Sequence, residues 1–66
     1  MRIYFNSAPV PLAVARSRFF EANPSRNLSD LAEIFGAATH TLGFGVNPFK
    51  VKQARQVLAA FGLEVV

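Results

Sequence analysis

Residues 47–63, NPFKVKQARQVLAAFGL, decide the fold, because they contain the start, the buried face and the end of one helix. Asn47 is a favourable N-cap, and Pro48 suits the first helical position, where no amide donor is needed. Gly62 is predicted to end the helix, since glycine readily adopts the conformation that follows a last turn. The apolar residues that recur with the helical period and form its predicted buried face are Val51, Ala54, Val57, Leu58 and Phe61.

A second helix is predicted upstream of this one. It begins at the N-cap Asn27. Gly36 offers an early stop, although Ala37 and Ala38 are able to extend the helix, and residues 39–46 are predicted to form a loop. The residues predicted to form its buried stripe are Leu28, Leu31, Ala32 and Phe35.

The first helix and two terminal strands complete the predicted elements. Residues 7–11 form a turn that contains two prolines, and Asn23-Pro24 ends the helix that follows it. The face predicted to be buried on this helix contains Leu12, Ala15, Phe19 and Ala22. Residues 2–6 and 63–66 are β-prone and are predicted to pair as a ribbon that joins the two ends of the chain.

The order β-α-α-α-β predicts a mainly α fold, a three-helix domain of helix-turn-helix or winged-helix type closed by a two-stranded ribbon. A chain of 66 residues forms one domain, residues 1–66. Such a chain buries only about 60% of its unfolded surface. Apolar residues make up 52% of the sequence, so some stay exposed, which favours a partner surface or a homodimer.

Composition excludes several classes of site. The chain has no cysteine and a single histidine, His40, so neither a disulfide nor a structural zinc site is expected. No cofactor is expected either. No stretch approaches the roughly 20 apolar residues that span a membrane, and prolines break the N-terminal apolar run. We therefore expect a cytoplasmic protein.

Positive charge is concentrated on the third helix. Residues 47–63 contain three cations, Lys50, Lys52 and Arg55, and no acid, whereas the whole chain has a net charge of +3. On a helical wheel, Phe49, Lys52, Gln53 and Gln56 point away from the buried face, with Lys50 and Arg55 at its flanks. Lysine and glutamine suit guanine and adenine edges in a DNA major groove, and phenylalanine suits a thymine methyl group. An ordinary solvated helix face is the alternative.

Residues 45–63 resemble the recognition-helix stretch of winged helix-turn-helix regulators, the GntR-like repressors especially. That family reads roughly G-V-S-x-x-T-V-R-x-A-L-x-x-L-x-x-x-G-L. Asn47 occupies the position of the serine that caps the helix in the family pattern, and Lys52 occupies the position of its arginine. Arg55 replaces a leucine of that pattern. The residues in register are Gly45, Val46, Val51, Ala54, Leu58, Gly62 and Leu63. The family places an L-A-x-x-L-G segment directly before this helix. A version of it, LAEIFG, lies at residues 31–36, nine residues too early.

The resemblance implies sequence-selective binding of double-stranded DNA, as in small transcription regulators of the kind that phages and plasmids carry. Its DNA-contacting residues would be Asn47, Phe49, Lys50, Lys52, Gln53, Arg55 and Gln56. The alternative is a small module or inhibitor that docks on a larger protein through Phe44 and Phe49. Catalysis is not expected, because His40 and the pair Asp30 and Glu33 lack the partners that an active site requires.

Overall fold

The computed structural model describes residues 1–41 and 47–66, which contain three helices and a small antiparallel sheet. The strands are β1 (Ile3–Phe5), β2 (Ala8–Pro9) and β3 (Leu63–Val65). The helices are α1 (Leu12–Glu21), α2 (Leu28–Thr39) and α3 (Pro48–Ala59). The predicted β-α-α-α-β order of a mainly helical chain is confirmed, with one strand added.

The predicted ribbon between the two ends of the chain is present. Strand β1 pairs antiparallel with β3, with Ile3 opposite Val65 and Phe5 opposite Leu63. Beyond the strands the pairing continues through the two hydrogen bonds that Arg2 and Val66 exchange. The termini of the domain are therefore held in one sheet.

The prediction of a simple turn at residues 7–11 was wrong, because the chain forms a hairpin there. Asn6 and Ser7 both have positive φ, 48° and 72°, and make a two-residue turn that leads into β2. The sheet order is β2-β1-β3, so the ribbon has three strands rather than two. Val10 N donates to Ile3 O (2.9 Å), and the alternation of the ladder then directs the nitrogen of Pro9 away from β1. Pro9 is tolerated because that position needs no donor.

Both predicted asparagine caps are confirmed. The Asn27 side chain accepts a hydrogen bond from Ser29 N (2.7 Å) at the start of α2, and Asn47 accepts one from Phe49 N (2.8 Å) at the start of α3. Each cap satisfies one of the free amides of a first turn. Helix α1 follows Pro11 without a side-chain cap.

The core is centred on Phe19 of α1, which is fully buried. Its ring lies 6.2 Å from that of Phe35 on α2 and 5.7 Å from that of Phe61, which follows α3. The other fully buried large side chains are Leu31, Leu58 and Leu63. Every helix and β3 therefore contribute to one core, and α3 is fixed by its apolar side.

Three residues predicted to be buried are not. Leu28, the first residue of α2, is 65% exposed, because the first turn of the helix extends past the core. Leu12 is 40% exposed and Ala22 is exposed, since α1 buries only Ala15 and Phe19. The apolar period gives the direction of a face but not how far along the helix the core reaches.

Helix α2 runs past Gly36 and ends at Thr39, as the extension through Ala37 and Ala38 allowed. Thr39 was predicted in a loop, and that prediction was wrong. It is buried, and its hydroxyl donates to Phe35 O (2.7 Å) inside the helix. His40 and Thr41 follow the helix as part of the predicted loop, and the rest of that loop, residues 42–46, lies outside the described residues.

Candidate nucleic-acid interface

The outward face of α3, defined here as Phe49, Lys52, Gln53 and Gln56, is exposed along its whole length. It is directed outward because Val51, Ala54 and Leu58 on the opposite side of the helix are buried. Phe49 is 65% exposed, although burial of a phenylalanine side chain would stabilise the protein. These four side chains are brought together on one surface, as the helical wheel predicted.

The first turn of α3 adds positive potential to this surface. Asn47 is exposed, and its side-chain oxygen accepts the capping hydrogen bond from Phe49 N, whereas its side-chain NH2 group donates to no residue within 1–41 and 47–66. Lys50 is also exposed. The amino-terminal end of a helix carries about half a positive charge, so the lysines and the helix itself favour an anion here.

A shallow depression runs along the flank of α3, between its outward face and its buried face. It is lined by residues from successive turns of α3, namely Pro48, Val51, Lys52, Arg55, Gln56 and Ala59. Its surface is largely apolar, and its lining includes the cations Lys52 and Arg55 and the amide of Gln56. A ligand with both apolar and anionic parts fits this composition.

Arg55 differs from the other cations of α3. It is half-buried, and its Nε donates to the carbonyl oxygen of Ala38 near the end of α2 (3.0 Å). Sequence reasoning missed this bond, because the two residues are 17 positions apart and no local pattern links them. Arg55 is thus the only predicted site residue whose charged group is fixed to another described helix.

Two further arginines lie on α1, where they stack on aromatic rings. The guanidinium carbon of Arg16 is 4.4 Å from the ring centre of Phe20, and that of Arg18 is 5.2 Å from that of Phe5. Because they are two residues apart, they project from opposite sides of α1 and do not form a cluster. Both arginines lie on a helix other than the one that carries the interface.

The described residues contain no assembled metal site. Within residues 1–41 and 47–66, no group of three or more His, Asp or Glu side chains could hold a metal ion. His40 is exposed at the end of α2, away from the buried core. In the same ranges, none of the helices is long and apolar enough to cross a bilayer.

Comparison with known proteins identifies no relative: no family model, curated protein or solved structure matches this chain. Of the residues that carry the resemblance to winged helix-turn-helix regulators, Gly45 and Val46 lie outside the described part of the chain, as does Phe44. The predicted DNA-contacting residues all belong to α3 and its N-cap. The surface chemistry of α3 is therefore the basis for a functional hypothesis.

Proposed function

We propose that this protein binds double-stranded DNA through the outward face of α3, as a small sequence-selective regulator. The observation that supports the proposal most is the combination of Lys52, Gln53 and Gln56 with an exposed Phe49 on one acid-free helix face. Such a role would place the protein in the cytoplasm.

The dimensions and chemistry of the helix suit a major groove. A 12-residue helix is about 18 Å long and, with side chains, about 10–12 Å across, close to the groove width of about 12 Å. Lys52 is suited to the O6 and N7 atoms of guanine, and Gln53 or Gln56 to the N6 and N7 atoms of adenine. Phe49 would contact a thymine methyl group.

Phosphate contacts come from the first turn. Lys50 and the exposed side chain of Asn47 lie beside the positive end of α3, where a phosphate oxygen would be bound. A net charge of +3 predicts weak binding by one copy of the chain, because phosphate neutralisation supplies most of the affinity. A homodimer that presents two copies of α3 would double the number of contacts.

Docking on a larger protein is the second candidate function, and the 65% exposure of Phe49 favours it. An aromatic anchor surrounded by polar residues is typical of protein interfaces. The two functions differ in the groups they need. DNA binding depends on Lys52 and Gln56, whereas protein docking depends on Phe49.

Fluorescence anisotropy with a labelled mixed-sequence duplex tests the proposal. We expect the wild type to bind at about 50 mM salt and to lose affinity steeply toward 200 mM, because bound cations are released from the phosphates. The double variant Lys52→Ala/Gln56→Ala is expected to bind at least about tenfold more weakly, since it loses one positive charge and two of the groups that would contact base edges.

Arg26→Ala is the matched control, because it also removes one positive charge. Arg26 lies at the end of α2 opposite to the end that Arg55 of α3 contacts. Arg26 precedes α2, and a helix of this length separates it from the Ala38 carbonyl by about 18 Å. Equal weakening by Arg26→Ala and the α3 variant would mean that net charge, rather than α3, attracts the duplex. No binding at low salt would reject the DNA function, and Phe49 would then be the residue to test for a protein partner.

A further inference from the structure

The end of α2 is closed by a network of hydrogen bonds that includes a donor from α3. His40 has a left-handed conformation (φ 56°), and Thr41 N donates back to Gly36 O (2.9 Å). His40 N donates to Ala37 O at 3.5 Å. This is the arrangement in which a helix satisfies its last carbonyls from the residues that follow it. The next carbonyl, that of Ala38, is satisfied by Arg55 Nε across the helix–helix contact.

The three cations of α3 therefore divide into two kinds. Lys50 and Lys52 are exposed, and as flexible ammonium groups they act as point charges. Arg55 is half-buried, and its Nε donates a hydrogen bond to the Ala38 carbonyl of α2. Building on the proposed function, we propose that Arg55 is a positioning residue, which fixes the direction of α3 against α2 and thereby controls base selectivity, rather than a phosphate contact.

The geometry of the two helices explains why selectivity depends on this bond. Ala38 belongs to a run of five consecutive buried residues, 35–39, which is the longest buried stretch of α2. Arg55 precedes Gln56 directly and lies one turn after Lys52. A change in the angle of α3 therefore moves the groups that would read bases. Base-edge hydrogen bonds need distances of about 2.7–3.2 Å, whereas attraction to phosphate falls off slowly with distance.

Two substitutions separate the hydrogen bond from the charge, because their side chains match that of Arg55 as far as Cδ and differ at the position of Nε. Arg55→Gln places an amide nitrogen at the position of Nε, so it keeps the donor to Ala38 and loses the charge. Arg55→Lys places a methylene there and keeps the charge. Arg55→Met has a similar length but neither donor nor charge, and so controls for packing.

The test compares affinity for a duplex selected by the wild type from random sequences with affinity for a mixed-sequence duplex. The ratio of the two affinities is expected to stay within about threefold of the wild type in Arg55→Gln and to fall about tenfold in Arg55→Lys and Arg55→Met. The salt dependence of Arg55→Gln is expected to match that of the wild type. The opposite pattern would overturn the inference: Arg55→Lys would behave as wild type, and Arg55→Gln would lose about 0.9 from the salt slope, as a phosphate contact does.

Amide hydrogen exchange without DNA distinguishes this inference from the proposed function. The amides of His40 and Thr41 are expected to exchange at wild-type rates in Arg55→Gln and faster in Arg55→Lys and Arg55→Met. Equal exchange in all four proteins would overturn the positioning role, whether or not DNA binds. Faster exchange with an unchanged affinity ratio would also overturn it, because Arg55 would then be only structural. Absence of duplex binding by the wild type would instead reject the proposed function.

Discussion

A single methyl group added at Gly62 would strain the backbone. Its φ is +83°, and a Cβ atom added there would lie 2.5 Å from Asn6 Oδ1. Its carbonyl also accepts a hydrogen bond from Asn6 N (2.9 Å), so the turn after α3 and the hairpin turn meet at this point. The position requires a residue without a side chain.

We expect Gly62→Ala to lower the free energy of unfolding by about 2 kcal/mol, because alanine is strained at this φ. Urea denaturation measures the loss. Adding Asn6→Gly removes the contact between the new Cβ and the Asn6 side chain but not the strain of alanine at positive φ. The double variant is therefore expected to regain less than half of the lost free energy of unfolding. A Gly62→Ala protein as stable as the wild type would contradict the conformation described here.

At the scale of elements, the start of α3 connects stability with function. Asn47 caps the helix through its side-chain oxygen, and its exposed amide lies at the proposed phosphate site. Asparagine and aspartate are equally good N-caps, whereas alanine is poor. Substitutions at this one position therefore separate helix stability from attraction to an anion.

We expect Asn47→Ala to cost about 1 kcal/mol of stability, and Asn47→Asp to leave stability unchanged. Asn47→Asp places a negative charge beside the proposed phosphate, so its duplex affinity at low salt is expected to fall about tenfold or more. Thermal denaturation and anisotropy measure the two effects. If Asn47→Asp were stable and bound DNA as tightly as the wild type, the phosphate would not be bound at this end of α3.

The elements that the sequence predicts best are those with local chemical signals. The caps at Asn27 and Asn47 and the apolar period of α3 predict the helix starts and the exposed side of α3, because each depends on neighbours within one or two turns. The hairpin was missed because Asn6-Ser7 lacks the glycine that usually marks such a turn. Leu28 was misplaced because the extent of the core depends on how helices pack, not on their period.

At the scale of the whole molecule, the candidate site depends on contacts between distant parts of the chain. A helical wheel identifies which side chains of α3 point outward, but not which of them are free to bind a ligand. The bond from Arg55 to Ala38 joins residues 17 positions apart, and only the packing of α2 against α3 brings them together. The sequence thus predicts the composition of the surface, and the fold distinguishes a fixed cation from exposed ones.

The central claim is that the outward face of α3 contacts DNA, and an amide chemical-shift titration with a short duplex tests it most directly. We predict that the amides of Phe49, Lys50, Lys52, Gln53 and Gln56 shift most, and that these shifts are lost as salt is raised. Changes confined to other elements, such as α1 with Arg16 and Arg18, would contradict the claim, as would an unchanged spectrum at excess duplex in low salt.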